Sequence, residues 1–164
     1  MLIYMSDVSA DAAEATAELM QISDLCCRLP LTIGIAAGMI KSLGSKWQGN
    51  VLGMLQEDAN ASMADESTAG MSPAEVIVTR SVKELDSDTA ALFTYLGIVP
   101  EDTPCPVSVV TLIWISAQKG EDKNKKTKRL SLKISKMVKT LLRYNLVLGA
   151  FETGIFYHDI VRDV

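Results

Sequence analysis

Histidine, cysteine and aromatic residues are scarce in this sequence of 164 residues, which contains one histidine, three cysteines and 5% aromatic residues. A single histidine excludes a histidine-rich metal site, and Cys26, Cys27 and Cys105 lack the paired spacing of zinc ligands. An odd number of cysteines also argues against a disulfide framework. We therefore expect a reducing, cytoplasmic setting and no bound metal.

Long apolar stretches are absent as well. The longest, residues 29–40, is interrupted by Pro30 and Thr32 and falls short of the ~20 residues that a membrane-spanning helix needs. Residues 1–5 lack the basic start and the long apolar core of a signal peptide, and Asp7 follows closely. The sequence predicts neither a membrane span nor a secretion signal.

Motifs of self-contained catalysis are missing too. The segment Ser-Leu-Gly-Ser-Lys at residues 42–46 lacks the first glycine of a phosphate-binding loop and the strand that precedes one. No Gly-x-Ser-x-Gly sequence presents a nucleophile. Cys26 and Cys27 have no base partner and are interpreted as small buried residues of a helix. We predict that the chain is not an enzyme.

The proportions of hydrophobic and charged residues are those of a folded protein. Hydrophobic residues make up 48% of the chain and charged residues 22%, which suits one domain or two small ones. The net charge is −4, but residues 119–143 contain 10 basic and 2 acidic side chains, a local net charge of +8. An acidic whole with one basic segment does not favour nucleic acid as the general partner.

Helical patterns fill the first part of the chain. Residues 11–29 are good helix formers with apolar side chains at helical spacing, and Pro30 suits the first turn of a second helix, residues 31–40. Gly34 and Gly38 leave a narrow groove on that second helix, which we interpret as a site of close helix packing.

A third helix is predicted over residues 46–57, with Ser45 as its cap. Residues 58–70 are small and polar and are predicted to be a mobile linker at a domain boundary. The sequence Ser72-Pro-Ala-Glu75 then combines a cap, an N-terminal proline and a capping-box glutamate, which predicts the start of another helix.

Further helices are predicted from Asp86 or Ser87, over residues 107–116 and over residues 129–145, the last one strongly amphipathic. After Asn145 the period changes, and residues 146–152 and 155–157 are typical of two short strands joined by a turn. The predicted fold is mainly α. A small helical bundle, residues 1–70, precedes a winged-helix domain, residues 71–164, with a short C-terminal β-hairpin.

His158 and Asp159 stand where the second strand would meet the start of a helix. Backbone N–H groups and the positive end of the helix dipole favour an anion at such a junction, and a histidine beside them could bind phosphate. The spacing alone is also compatible with a structural histidine at the end of a hairpin, and it favours that interpretation.

Four segments, in order, resemble the NB-ARC family. They are Cys-Cys-Arg-Leu-Pro-Leu at residues 26–31, Val99-Pro-Glu-Asp102 before Ile113-Trp114, Leu-Leu-Arg-Tyr-Asn-Leu at residues 141–146, and Tyr-His-Asp-Ile-Val-Arg-Asp at residues 157–163. This family comprises the nucleotide-binding switch modules of plant resistance proteins and apoptotic protease-activating factors, within the STAND class of signalling ATPases. The similarity covers the C-terminal part of the module, its helical ARC1 and winged-helix ARC2 subdomains.

The resemblance implies two groups of site residues. Leu29, Pro30 and Leu31 match a Gly-Leu-Pro-Leu motif whose proline packs on adenine, with Arg28 in the place of the glycine and expected to crowd or contact the nucleotide. The second group matches the Met-His-Asp motif: His158 would bind the β-phosphate of ADP, and Asp159 and Tyr157 would brace this latch. Core positions of the winged helix would be Phe93, Leu96, Ile98, Trp114 and Leu142.

What the resemblance implies for function is an ADP- or ATP-sensing regulatory half of a signal-transduction switch in defence or apoptosis-like responses. The phosphate loop would belong to an upstream nucleotide-binding domain, which this chain would hold in its ADP-bound resting state. That domain is the expected partner, and the active form of the family is a homo-oligomer. Neither nucleic acid nor a membrane is an expected partner.

Two other functions remain open. A winged-helix DNA-binding protein could use the basic helix 129–143, although residues 146–157 offer no basic side chain as a wing. A helical interaction scaffold without a ligand is the third option.

Overall fold

The computed structural model describes Leu2, Ser6, Val161 and residues 13–64, 72–117 and 127–157 of the chain. Within these ranges the fold is mainly helical, with a two-stranded antiparallel hairpin near the C-terminus, as the sequence predicts. The helices are α1 (Ala13–Leu25), α2 (Pro30–Leu43), α3 (Asn50–Ala64), α4 (Pro73–Lys83), α5 (Ser87–Leu96), α6 (Val107–Ala117) and α7 (Thr127–Arg143). The strands are β1 (Leu148–Ala150) and β2 (Gly154–Phe156).

The described residues form two compact units. The first contains the described residues up to Glu84 together with Arg143–Asn145, and the second contains the described residues of Leu85–Leu142 and Leu146–Asp163. This division differs from the predicted boundary at residues 70 and 71, because α4 packs against α2 and α3 of the first unit. The contacts of α4 are made by its buried residues, which include Ile77 and Val78.

The helices that can be described in the first unit are α1 to α4. α1 packs on α3, and α4 lies against both α2 and α3, so that the apolar sides of all four helices share one core. α4 begins as predicted: the Ser72 hydroxyl accepts a hydrogen bond from the Glu75 N–H, and the Glu75 carboxylate accepts one from the Ser72 N–H. The fully buried core side chains of this unit include Ile22, Ile35, Met39, Ile40, Val51 and Ile77.

The predicted start of the third helix is wrong. Ser45 lies inside a 3₁₀ turn, Gly44–Lys46, and α3 begins only at Asn50. Gly49 lies between the 3₁₀ turn and α3, and its left-handed backbone, with a φ of 70°, interrupts the helical path. The predicted linker is also helical in its first part, because α3 continues to Ala64, while residues 65–70 lie outside the described residues.

The second unit combines α5, α6 and most of α7 with the hairpin. α5 packs on α6, and it is capped by Asp86, whose carboxylate accepts from the Thr89 N–H at 3.0 Å. Leu92, Leu96, Val110, Trp114, Ile134, Val138, Leu141 and Ile155 are buried in this unit. Phe93 is buried as expected and Leu142 is half-buried, but the expectation for Ile98 is wrong: it follows the end of α5 and is 74% exposed.

The hairpin pairs Leu148 with Phe156 and Ala150 with Gly154. Gly149 has a φ of 97°, and a Cβ there would lie 2.3 Å from the Gly154 carbonyl oxygen, so only glycine fits. Cys105 extends the pairing as an isolated bridge, with its N–H 2.7 Å from the Ile155 carbonyl oxygen. The hairpin is therefore tied to the segment before α6.

Candidate functional site

The turn between α1 and α2 precedes the first group of predicted site residues. Cys27 N donates to Asp24 O at 2.9 Å and Arg28 N donates to Ser23 O at 3.0 Å, which are the paired bonds of a Schellman helix end. Cys27 and Arg28 both adopt left-handed conformations, with φ of 52° and 56°. This region of the backbone favours glycine, because a Cβ atom crowds the following carbonyl there.

Arg28 turns back onto α1. Its Nε and Nη2 lie 2.9 Å and 2.8 Å from Asp24 Oδ1, in an exposed ion pair. The expectation that Arg28 crowds or contacts a nucleotide stays a prediction. The left-handed φ gives a physical reason for glycine at this place in the Gly-Leu-Pro-Leu motif.

Pro30 is the first residue of α2. Leu29 before it is extended (φ −76°, ψ 133°), as the proline ring requires of its predecessor, and its carbonyl accepts from Ile33 N at 3.0 Å. The Thr32 hydroxyl donates to the Cys26 carbonyl at 2.7 Å. This bond fixes the first turn of α2 against the end of α1, and so fixes the direction of the proline ring.

An apolar surface open to solvent results at this helix start. Leu29 is 44% exposed, Pro30 is exposed and Leu31 is half-buried. A proline has no N–H to desolvate, so its ring and the neighbouring leucine can pack on a flat aromatic face without leaving a donor unpaired. The arrangement is suited to holding a planar apolar group.

The two neighbouring cysteines differ in their surroundings. Cys26 is buried, and this burial raises the pKa of its thiol to about 12, so the thiol stays protonated at neutral pH. Cys27 is exposed, so the prediction that both are buried helix residues is wrong for Cys27. The Schellman turn places it outside the helix.

Arg143–Asn145 lies in the groove that Gly34 and Gly38 leave on α2. Asn145 Nδ2 donates to the Gly34 carbonyl at 2.7 Å, and a Cβ on Gly38 would lie 2.6 Å from Tyr144 Cα. Close packing on α2 is therefore confirmed at Gly38, but its partner is the last residue of α7 and the turn after it and not the body of a helix. The glycine spacing predicted a groove, but nothing in the sequence pattern identified the segment that occupies it.

The same segment holds the C-terminal half of α2 by two polar contacts. Tyr144 Oη and Ser42 Oγ are 2.7 Å apart, and Arg143 Nη2 donates to the Lys41 carbonyl at 3.0 Å. Asn145 has a φ of 53°, which asparagine tolerates better than most residues. These residues belong to the third of the four motif segments, and the structure gives them a structural role on the helix that begins at Pro30.

Tyr157 is buried in the second unit. Its hydroxyl donates to the Phe93 carbonyl, and the two rings lie 5.3 Å apart. The Phe93 carbonyl is free to accept because Gly97 N, its regular helical partner, bonds to Thr94 O instead. Burial raises the pKa of the Tyr157 hydroxyl. The tyrosine thus anchors the end of β2 to the end of α5.

The other latch residues, His158 and Asp159, lie outside the described residues, so their role stays a prediction. Leu29, Pro30 and Leu31 are adjacent in the first unit, and Tyr157 belongs to the second. Among the described residues, no group of three or more His, Cys, Asp or Glu side chains is arranged to hold a metal ion.

The predicted basic helix is α7. Arg129, Lys133, Lys136 and Lys139 are exposed. Lys133 Nζ is 2.7 Å from Asp88 Oδ2 and 5.4 Å from the centre of the Trp114 ring, and Lys139 Nζ is 5.4 Å from the centre of the Phe151 ring. Within the parts of the chain that the structure describes, every helix is too short or too polar to cross a bilayer.

The chain matches no protein-family model. It is similar to the disease resistance protein ADR1 of Arabidopsis thaliana, with 26% identity over 149 residues. The similarity covers 88% of this chain and 18% of ADR1, so the chain spans less than a fifth of the length of this relative.

Proposed function

We propose that this chain is the regulatory, non-catalytic part of an NB-ARC-type nucleotide switch in defence signalling. The observation that carries this proposal is the similarity to a disease resistance protein over 88% of the chain. The order of the four motif segments, from residue 26 to residue 163, supports the same family. The nucleotide would be ADP or ATP, bound together with a domain that contains the phosphate loop.

The start of α2 supports a role in adenine recognition. The exposed Leu29 and Pro30 form an apolar surface, and the buried Thr32–Cys26 hydrogen bond keeps that surface in place. α2 is braced further along by Arg143–Asn145, so the proline is carried by a helix held at both ends. A preorganised surface of this kind binds a flat ring without first paying an ordering cost.

The proposed mechanism is a shift between two populations. ADP binds the closed state more tightly because His158 reaches its β-phosphate only there, and Asp159 and Tyr157 brace that latch. Loss of the latch favours the open, active state, in which the family assembles into homo-oligomers. The chain itself hydrolyses nothing and binds no metal in this scheme.

Titration calorimetry with ADP tests the proposal. The purified chain is mixed with a separately produced NB-ARC-type nucleotide-binding domain, and Pro30→Ala is compared with Pro73→Ala. Both prolines begin an α-helix of the first unit, so both substitutions change a helix start in the same way. We expect Pro30→Ala to weaken ADP binding about fivefold to tenfold, roughly 1 kcal/mol, and Pro73→Ala to leave it unchanged.

His158→Ala provides the second test. Loss of a hydrogen bond to a charged phosphate is expected to weaken ADP binding by at least about tenfold. Equal ADP affinity in the parent, Pro30→Ala and His158→Ala would refute the proposed switch.

A further inference from the structure

α7 presents one cationic side to solvent. Its sequence, Thr-Lys-Arg-Leu-Ser-Leu-Lys-Ile-Ser-Lys-Met-Val-Lys-Thr-Leu-Leu-Arg, contains basic residues throughout and no acidic residue. Ile134, Val138 and Leu141 are completely buried, which fixes the side of the helix that faces the core of the second unit. On the opposite side Arg129, Leu132 and Lys136 are exposed, and Lys139 Nζ lies 5.4 Å from the centre of the Phe151 ring, in the turn between β1 and β2.

Four exposed residues lie along that opposite side: Arg129, Leu132, Lys136 and Lys139, here called the basic stripe. Successive residues turn by ~100° around a helix, so these four fall on one narrow face. Leu132 is 62% exposed, with Arg129 three residues before it and Lys136 four residues after it. Residues at these spacings are surface neighbours, so a large apolar side chain sits between two cations.

An exposed leucine between two cations is best matched by a partner that has both apolar and acidic groups. The leucine loses contact with water only against an apolar side chain, and the flanking cations are neutralised best by carboxylates on either side of it. We propose that the basic stripe docks an acidic amphipathic helix of a partner protein. This inference is independent of the proposed nucleotide switch.

Nucleic acid fits the stripe less well. Leu132 would face the phosphate backbone with no apolar group to contact. Asp88, which lies 2.7 Å from Lys133, already neutralises that lysine at the edge of the stripe, so a polyanion gains little from it. The neighbouring hairpin residues 148–156 add Glu152 and no basic side chain. A polyanion therefore gains few contacts beyond the stripe itself.

A lipid surface also fits less well. Burial of one leucine contributes only about 1.5–3 kcal/mol, and the basic stripe contains no second large apolar side chain. Stable attachment to a membrane surface needs a broader apolar face. A partner helix needs only a local match.

The dimensions of the stripe suit a helix. Arg129 and Lys136 are seven residues apart, or about 10 Å along the axis, so two glutamates separated by two turns of a facing helix can meet both. Ser131 and Ser135 beside Leu132 are small, and the Ser135 hydroxyl already donates to the Ser131 carbonyl at 2.7 Å. Both serines are small enough for a partner side chain to approach closely, and the Ser135 hydroxyl needs no hydrogen bond from that partner.

Fluorescence anisotropy with synthetic peptides tests the inference on the full 164-residue chain. The probe is a labelled helical peptide with glutamates two turns apart that flank leucines, and its twin has serine at each leucine. We expect the leucine peptide to bind at least about fivefold more tightly than its twin, and to weaken when salt is raised from ~50 mM to ~200 mM. Lys136→Glu and Leu132→Ser should each weaken binding about tenfold.

Lys46→Glu is the matched control. It changes the net charge as Lys136→Glu does, but on an exposed residue of the 3₁₀ turn in the first unit, and it should change the affinity less than about twofold. Equal losses in Lys46→Glu and Lys136→Glu would mean diffuse charge attraction and would overturn the proposal. Equal binding of the two peptides would overturn it, as would tighter binding to a 20-base-pair DNA duplex or to vesicles containing phosphatidylserine.

Discussion

Replacement of Gly38 by alanine tests the close approach of Arg143–Asn145 to α2. A Cβ on Gly38 would lie 2.6 Å from Tyr144 Cα and 2.7 Å from the Arg143 carbonyl oxygen, where ordinary contact begins near 3.4 Å. Both atoms belong to backbone, so the segment itself must move. Overpacking of this kind costs about 1–3 kcal/mol.

Two further effects enter the magnitude for Gly38→Ala. Alanine in a helix interior stabilises the helix by about 1 kcal/mol relative to glycine, which opposes the clash. Movement of the segment also weakens the hydrogen bond from Asn145 to Gly34 and the contact between Tyr144 and Ser42, each of which contributes about 0.5–1.5 kcal/mol. The expected net effect is a loss of about 1–3 kcal/mol in the free energy of unfolding.

Gly53→Ala is the matched control for Gly38→Ala. Gly53 also lies in a helix, α3, but a Cβ there would meet no atom within 4 Å. The helix-propensity gain should then appear alone, as a stabilisation of about 0.5–1 kcal/mol. The two substitutions are chemically identical, so the opposite signs isolate the contact with the segment.

Urea unfolding followed by circular dichroism gives the free energies. Hydrogen exchange with mass spectrometry should show faster exchange at Leu146 N, which donates to Leu141 O next to the segment, in Gly38→Ala only. Stabilisation of the chain by Gly38→Ala, equal to that by Gly53→Ala, would refute the close approach.

Three more predictions concern single residues. Arg28→Gly and Arg28→Ala both remove the exposed ion pair of Arg28, so the two variants differ only in how well they tolerate the left-handed φ at this position. Glycine tolerates it better, and the glycine variant should be more stable than the alanine variant by about 1 kcal/mol in urea unfolding. Tyr157→Phe should lower the free energy of unfolding by about 1–2 kcal/mol, because it leaves the Phe93 carbonyl without its donor. Burial raises the pKa of Tyr157, so the parent should lose stability in urea unfolding as the pH rises above about 10. The phenylalanine variant should lose less stability over the same pH range. Asp86→Ala should lower the free energy of unfolding by about 1 kcal/mol near neutral pH, because α5 loses its cap. The hydrogen bond from Thr89 lowers the pKa of Asp86, so the difference in stability between parent and variant should shrink as the pH falls below about 4. Acid titrations of stability measure this difference.

The helix starts that a side chain caps could be predicted from the sequence. Ser72 and Asp86 cap α4 and α5 as expected, because a cap depends on residues three positions apart in the chain. Ser45 has the same chemistry but caps no α-helix, since the chain there forms a 3₁₀ turn and is redirected at Gly49. A capping residue alone did not reveal that turn.

In the candidate site, too, local features could be predicted from the sequence and features that depend on other parts of the chain could not. The proline at the start of α2 could be predicted, because its fixed φ and missing N–H act locally. The left-handed backbone at Arg28 could not, since arginine gives no local sign of it and the turn is stabilised by backbone hydrogen bonds back to α1. The glycine groove on α2 was visible, but its occupant is more than a hundred residues away in the chain.

Several features of this fold could be predicted from the amino-acid sequence, because propensity, capping and periodicity act within a few residues. They are the helical character of the chain, the capped starts of α4 and α5, the short hairpin and the basic amphipathic α7. The tertiary structure alone decided that α4 belongs to the first unit, that Arg143–Asn145 fills the groove of α2 and that Tyr157 bonds to the Phe93 carbonyl. These contacts join residues distant in the chain, and they follow from which buried surfaces and unpaired backbone groups meet once the helices have packed.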